Sequence, residues 1–392
     1  MRIAQFVGSL LEPLGGAEQY CLELARWQRD QGHDVTIVTG WISPGIEKSL
    51  AAEGLNVRLV RSRRPYPPDR KGSKPAAVLF HGLDLLGSVR VSAPLRRLLA
   101  EPWDVVHVHR FAGFGAAMLR SGRPTVMTVH DYGLVDTSTT LLRHGREVST
   151  APLVQRLRTW LTNRSVRSAR LVFPTERLRQ KHVQWGLELP GHTDVIPHGW
   201  RIDGFSQSSP SGGPVVFLFL GKLISTKGVE LLLEAWGDGM PGAELWVAGA
   251  GPLEPVVQAA PHVRYLGWLD ATGRRAALAA ASVLVLPSTW PENFPLSAAE
   301  GVLAGLPLVS TTIAAPPVLH DGLNGLLAVP EAAALRAAMQ ELLDPAARQR
   351  FAAGSREVAL ALDFHTHGRR IEELYDELLA ISTSSISGRA AS

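Results

Sequence analysis

Short apolar runs alternate with amphipathic stretches along almost the whole of this 392-residue chain, and they do so in two series. Strands are expected at residues 2–7, 35–39, 57–60, 105–109, 125–129, 171–174 and 194–196, and again at 215–220, 244–248, 263–266, 283–286 and 308–310. Helical patterns lie between them, such as residues 17–31, closed by Gly32 in the position that follows a helix. Regular strand–helix alternation means parallel sheets with crossover helices. The fold class is therefore α/β, with two doubly wound domains. A segment rich in Gly, Pro and Ser separates the series and reads as a linker over 201–213. The boundaries that follow are an N-terminal domain at 1–200, a C-terminal domain at 214–362, a terminal helix at 363–380 that can cross back to the first domain, and a disordered tail at 381–392. Doubly wound domains present their ligand loops at the C-terminal ends of their strands, so a cleft is expected between the two.

Bulk properties narrow the class. Apolar residues make up 45% and charged residues 19%, enough to bury large cores. Cys21 is the only cysteine, which leaves no internal disulfide and no cysteine metal site, and fits a reducing compartment. The apolar stretch at 1–7 is too short for a signal peptide, and no apolar run approaches the ~20 residues needed to span a bilayer. A cytoplasmic protein is expected, with the option of peripheral membrane contact. Charge is uneven: residues 1–205 hold 28 Lys and Arg against 18 Asp and Glu, the remainder 12 against 18. Much of the excess sits in residues 58–74 (Arg58, Arg61, Arg63, Arg64, Arg70, Lys71, Lys74). A solvated basic loop is one reading; an anionic membrane surface or acidic acceptor is the other. Nucleic acid is not expected, since the cluster holds only Tyr66 as an aromatic and carries no binding motif.

Several loops at expected strand ends carry chemistry. Leu14-Gly15-Gly16-Ala17-Glu18 opens a helix, where paired glycines let backbone approach a phosphate, although Gly-Gly alone reads equally as a flexible turn. His130-Asp131-Tyr132 follows the fifth strand; His130 can donate to a sugar hydroxyl or phosphate, or simply cap the sheet edge. His107 and His109 are read as lying on opposite faces of the preceding strand, and as structural. In the second half, Gly221-Lys222 and Lys227-Gly228 place two cations in a Gly-flanked loop, suited to a diphosphate. Gly249-Ala250-Gly251-Pro252 permits close backbone approach. Glu292-Asn293-Phe294-Pro295-Leu296 leads from a buried strand into a helix expected over 295–304 that holds Glu300. Backbone N–H groups at that helix start face an anion, while the two carboxylates accept hydroxyl hydrogen bonds. Two solvated acids on a capped surface helix would give the same pattern. His320 to Gly325 reads as a structural turn. No His and carboxylate triplet has zinc-like spacing, so no metal site is expected.

Taken together, in order and spacing, Gly15-Gly16-Ala17-Glu18, His130-Asp131, Gly221-Lys222…Lys227-Gly228, Gly249 to Pro252, Glu292…Glu300 and Asp321 to Gly325 resemble the retaining glycosyltransferases of family 4. That family has the two-domain GT-B architecture, with Rossmann-like domains facing across a cleft. The resemblance spans roughly residues 1–379. It implies that Glu300 binds the ribose hydroxyls of a nucleotide. Glu292, with the backbone at Asn293, Phe294, Pro295 and Leu296, would hold the donor sugar and its β-phosphate. Lys222 and Lys227 would stabilise the leaving diphosphate, Gly16 would lend it an N–H, and His130 would contact the donor sugar. Gly15, Gly221, Gly249 and Gly251 would shape the donor loops. Transfer would retain anomeric configuration, with no metal and no cofactor, the nucleotide sugar (UDP by default, GDP or dTDP as options) being a co-substrate. The family usually has Arg where Lys222 stands, and glycines where Asn293 and Pro295 stand.

The acceptor would dock on the N-terminal domain near 133–152, with Asp131, Tyr132 and Asp136 as candidate contacts beside His144 and Glu147. An aminocyclitol would pair with the acids; an anionic polysaccharide or lipid-linked acceptor would prefer the arginines, with Arg63 and Arg64 as guides. Two other classes fit the same build: a nucleotide-sugar epimerase, and a non-catalytic nucleotide-sugar-binding partner subunit.

Overall fold

The computed structural model describes every residue except 13, 63, 69–71, 137–140, 144–145, 148–152, 202–204, 206–212 and 391–392; of residues 142–143, 146–147, 154 and 383–390 it describes the backbone alone. Two compact units divide the chain: Met1–His198 with His365–Ser392, and Gly199–Phe364. Most of the expected linker, and Arg63, Arg70, Lys71 and His144, lie outside the described residues.

In unit 1, strands β1 (Arg2–Val7), β2 (Asp34–Thr39), β3 (Asn56–Leu59), β4 (Val105–Val108) and β5 (Thr125–Thr128) precede a small hairpin of β6 (Leu142–Arg143) and β7 (Arg146–Glu147), and β8 (Arg170–Phe173) and β9 (Thr193–Val195) follow. Seven of them form one parallel sheet in the order β3-β2-β1-β4-β5-β8-β9. Helices α1 (Gly16–Asp30), α2 (Pro44–Ala52), α3 (Lys74–Val89), α4 (Ala93–Leu99), α5 (Leu153–Val166) and α6 (Glu176–Gln184) connect them. The central strands are apolar on both faces, with Ile3, Phe6, Val7, Val105, Val106 and Val108 inaccessible, as a sheet covered by helices on each side requires. Gly32 sits at φ +85° just past α1, the conformation its place after the helix demands.

Unit 2 repeats the plan with β10 (Val215–Leu220), β11 (Ala243–Ala248), β12 (Val263–Gly267), β13 (Val283–Leu286), β14 (Leu308–Thr311) and β15 (Gly325–Ala328), in the order β12-β11-β10-β13-β14-β15. Its helices are α7 (Val229–Trp236), α8 (Glu254–Ala259), α9 (Ala271–Ala280), α10 (Leu296–Leu303), α11 (Ala332–Glu341) and α12 (Pro345–Ala361). Successive residues of a strand face opposite ways. Phe217 and Phe219 of β10 accordingly join one core with Trp236 and Phe351, while Leu218 and Leu220 join the other with Leu284, Val302 and Leu308. Trp200 also belongs to this unit: its N–H donates to Leu362 O at 2.7 Å and its carbonyl accepts from Phe364 N at 3.0 Å.

Three sequence expectations are corrected. β15 occupies the end of what reads as a turn; its Gly-Leu-Leu-Ala run lacks the β-branched signature of a strand, and Gly325 is required there because a Cβ would fall 2.0 Å from Leu308 O. The expected tail continues the last helix, α13 (Phe364–Ala390), which from His365 onward belongs to unit 1. The segment Lys74–Leu99 is long and apolar enough, by length and composition, to cross a bilayer, although it is split into α3 and α4.

In each sheet the strand order reverses beside the first strand, between β1 and β4 and between β10 and β13. The loops that leave adjacent strands there diverge to opposite faces and open a crevice. The loops after β1, β10 and β13 carry Gly15-Gly16, Lys222 with Lys227, and Glu292, while His130-Asp131 and Gly249 to Pro252 leave the neighbouring strands β5 and β11.

Candidate functional site

In unit 2, the loop after β10 and the loop after β13 are tied across the point of reversal. Thr289 N donates to Thr226 O at 3.1 Å, and Thr289 Oγ1 donates to Ser225 O at 3.3 Å. This brings Lys227 Nζ to 2.6 Å from Glu292 Oε1, 65 residues away in sequence. Ser288 Oγ donates to the same oxygen at 2.6 Å. The carboxylate is thus held by a cation and a hydroxyl through Oε1 alone, with only 10% of its side chain exposed. Lys222 is exposed in the same loop. Pro295 stands at the N-cap of α10, so the helix begins at Leu296 as the loop ends.

Glycines in these loops are demanded by backbone packing. At Gly228 the backbone is left-handed (φ +71°) and a Cβ would sit 1.8 Å from Pro287 O. At Gly249 a Cβ would sit 1.8 Å from Gly221 O, and at Gly251 2.4 Å from Leu223 O. The close approach expected of these glycines is therefore made to the Gly221–Leu223 backbone, and it locks the loops after β10 and β11 together, with Leu223 N donating to Ala250 O at 3.0 Å. Phe294 stacks on Trp200 at 6.3 Å, which pins the Glu292 loop to the core. One turn into α10, Glu300 accepts from Arg274 Nη2 at 3.1 Å and Nε at 3.3 Å. Burial pushes the Glu300 carboxyl above the usual range, and Arg274 and then Arg275 oppose that shift. Ser288 and Arg274 escape sequence reasoning: neither lies in a motif, and Arg274 meets Glu300 only because α9 packs near α10.

In unit 1, the loops after β1 and β4 meet through Arg110, whose Nη1 donates to Glu18 Oε1 at 3.0 Å while Nε lies 3.4 Å from Asp131 Oδ2. Gly15 is the N-cap of α1 and Gly16 its first residue, and Glu18 is a buried acid within that first turn. A pocket of about 50 Å³ is lined by His109, Arg110, His130, Asp131, Asp136 and Arg158 among others. Asp136 is inaccessible and accepts from Leu141 N at 2.9 Å. Tyr132 is corrected from acceptor contact to core: it is 2% exposed and stacks on His182. Arg64, expected as an exposed guide for anions, is also buried. Its guanidinium lies 3.3 Å from Asp84, which pairs at 3.1 Å with Arg158 as well; all three side chains are 7% exposed.

Beneath the pocket lies a hydrogen-bonded stack of imidazoles. His107 and His109 face the same way, their rings stacked with centroids 4.4 Å apart, because residues two apart on a strand share a face; the expectation of opposite faces is corrected. Gln5 Nε2 donates to Gln28 Oε1 at 2.6 Å, so Gln5 Oε1 accepts from His109 Nε2 at 2.6 Å. His109 Nδ1 must then accept from His130 Nε2 at 3.3 Å, and His130 Nδ1 from His198 Nε2 at 3.2 Å. On the other arm, Gln28 Nε2 donates to the Tyr375 hydroxyl at 3.0 Å, which donates to His107 Nδ1 at 2.6 Å. A single arrangement of protons on neutral rings satisfies the chain. Burial pushes His107 and His130 down to about 3, with neighbouring charges adding to it, and His109 and His198 well below their ordinary value for the same first cause. Burial thus holds the His130 ring towards its neutral form.

The pH dependence of unit 1 follows. In the unfolded chain these rings bind protons near pH 6.5, while in the fold His107 and His130 resist until about 3. Stability is then fully present above about 6.5 and falls as pH drops towards about 3, by about 1.4 kcal/mol per pH unit for each such histidine. Urea unfolding of unit 1 followed against pH should show its midpoint decline steadily below pH 6.5; a flat profile down to pH 4 would show that the stack is not held neutral.

Comparison with known proteins agrees with this geometry. Residues 15–199 match the model of the glycosyl transferase 4-like domain, and residues 214–345 that of the glycosyl transferases group 1. A phosphatidyl-myo-inositol mannosyltransferase of Mycobacterium leprae is 29% identical, over 98% of this chain and 99% of the relative. Among solved structures, Anabaena HepE in complex with UDP superposes with a TM-score of 0.70 at 18% identity, over 96% of this chain and 100% of its own. Sucrose-phosphate synthase from Thermosynechococcus elongatus reaches 0.73 at 21% identity, over 97% and 99%. Two parallel-sheet units, each with its motif loops at the reversal of strand order, matched in turn by the two halves of one enzyme family, place the chain among the GT-B glycosyltransferases of family 4.

Proposed function

We propose that this chain moves a hexosyl unit from a nucleoside-diphosphate sugar to a hydroxyl of an anionic, lipid-linked acceptor, with retained anomeric configuration and no metal ion. The observation that carries the reading is the Lys227–Glu292–Ser288 contact at the strand-order reversal of unit 2. A leaving diphosphate gains negative charge as the glycosidic bond breaks. A cation already held in place stabilises that state more than the ground state, at no cost of reorganisation during the step. Lys227 is fixed by Glu292, Lys222 adds a second charge from the same loop, and the open N–H groups at the start of α10 face the same loop end. These groups do the work that a divalent ion does elsewhere. Glu292 Oε2 is left to accept a sugar hydroxyl, and Glu300, oriented by Arg274, to accept the ribose hydroxyls.

UDP is the first donor to test, since HepE was crystallised with UDP and with UDP-glucose. The lipid-linked, anionic acceptor class is supported by the name of the mycobacterial relative and by the positive excess of the first half. The acceptor is assigned to the unit 1 pocket beside Arg110 and Asp131. Incubation with UDP-, GDP- and dTDP-hexoses should release the nucleoside diphosphate only with a lipid-linked acceptor, and equally in EDTA. Release that needs a divalent ion would sink the metal-free step, and an isomerised donor without transfer would replace the whole reading by an epimerase. We expect Glu300→Ala to raise the donor KM by roughly tenfold or more with little change in kcat, because the lost hydrogen bonds hold ground state and transition state alike. Unchanged donor KM would remove Glu300 from the site.

A further inference from the structure

Helices α3 and α5 are turned inside out. In α3 the buried positions are Asp84, Gly87 and Ser88, while Val78, Leu79, Leu86 and Val89 are exposed, Val78 by 74%. Positions 78, 79, 82, 86 and 89 recur at the spacing of one helical face, and each holds an apolar residue or glycine. In α5 the buried positions include Gln155, Arg158, Thr159 and Thr162, while Leu153, Leu157 and Trp160 are exposed, Leu153 by 80%. They too fall on one face. The cause is a polar clamp: Asp84 of α3 accepts from Arg158 Nε of α5 at 3.1 Å and from Arg64 Nη2 at 3.3 Å. Satisfying these buried charges fixes the roll of both helices and turns their apolar stripes outward, side by side. Monomers seldom leave apolar patches of this kind uncovered.

We propose that the joint α3–α5 face is a docking surface for an anionic lipid bilayer. Charge decides the occupant. Asp84 is the only acidic residue in the two helices, and it is buried in the clamp. Among the described residues of the two helices and their ends, the exposed charges are all positive: Lys74 and Arg90 at the two ends of α3, and Arg156 and Arg164 on α5. The Arg164 guanidinium lies 4.9 Å from the centre of the exposed Trp160 ring. An aromatic and a long cationic side chain in this pairing suit the headgroup layer, where the ring and the alkyl stem sink and the charge meets phosphate. The helices lie on the surface and do not span it. α3 is 16 residues, about 24 Å at the helical rise, short of the ~30 Å hydrocarbon core, and its Asp84 is committed to the fold. Membrane contact thus shifts from the basic segment at 58–74, where Arg64 is buried, to the helix that follows it.

The test needs neither donor nor acceptor, so its failure is separable from failure of the transferase reading. The full chain should co-sediment with vesicles containing phosphatidylglycerol, and far less with pure phosphatidylcholine or at high salt. Val78→Glu/Leu86→Glu should weaken binding by about tenfold or more, as should Arg156→Ala/Arg164→Ala, with thermal unfolding unchanged because all four side chains are exposed. If a pair lowers the melting temperature, Leu157→Glu takes its place. Absence of vesicle binding, or equal binding by the variants, would overturn the proposal. So would concentration-dependent self-association that Val78→Glu/Leu86→Glu disperses in a chain indifferent to vesicles, since the face would then be covered by a second copy.

Discussion

Lys227→Ala is expected to lower kcat by about a hundredfold, about 2.7 kcal/mol of barrier, with donor KM changed much less. The ammonium sits 2.6 Å from Glu292, so its position is set before substrate arrives. Its charge matters most when the diphosphate departs, which is why the loss should fall on kcat. The variant also leaves Glu292 with Ser288 as its hydrogen-bond partner on Oε1, so part of the effect will come from a carboxylate that has lost its orientation. Lys227→Arg, which keeps charge but alters reach, should recover part of the rate. Lys222→Ala should cost less, because that side chain is exposed and no partner in unit 2 fixes it among the described residues. A full kcat in Lys227→Ala would end the assignment of the leaving-group cation.

Asp84→Ala should be the most destabilising substitution in unit 1, by about 3–5 kcal/mol. It removes the only anion that pairs with these two buried guanidiniums among the described residues. Arg64 would keep the carbonyls of Gly113 and Leu83, and Arg158 those of Gly133 and Leu134 at 2.7 and 3.4 Å. Carbonyl dipoles do not neutralise two charges taken out of water. Burial already holds the Arg64 guanidinium below its usual range, against the raising effect of Asp84. Denaturant unfolding with a probe in each unit is the suitable measurement, since two units need not unfold as one. The unit 1 transition should move to lower denaturant and the unit 2 transition should stay. An unchanged unit 1 midpoint would show that the clamp contributes nothing net.

Much of the fold was legible because it depends on local pattern. Apolar runs of strand length, broken by helical repeats, allow few arrangements other than parallel sheets with crossovers, and twelve expected strands coincide with observed ones within a residue or two at their ends. β15 was not legible, since a four-residue edge strand of Gly, Leu, Leu and Ala carries no β signal of its own. α3 begins in a basic segment and places glycine, histidine and aspartate among its apolar residues, so its pattern is blurred in sequence. The loops of the donor half were legible through motif and spacing. The contacts inside them were not: Ser288 and Arg274 belong to no motif, and they reach Glu292 and Glu300 through sheet order and helix packing. The imidazole stack was misread for a geometric reason, the strand period of two, and its partners His198 and Tyr375 come from distant parts of the chain.

The amino-acid sequence by itself determined the strand and helix periods, the two-fold repetition of the α/β plan, and the placement of Lys222, Lys227, Glu292 and Glu300 at strand exits, because each of these is a property of neighbouring residues. Only the tertiary structure decided which charges are paired and which faces are open. Lys227 meets Glu292 across 65 residues, Arg158 meets Asp84 across 74, and Tyr375 meets His107 across 268. Such partners are selected by sheet order and by the need to satisfy every charge withdrawn from water, and neither constraint can be read from a residue and its near neighbours.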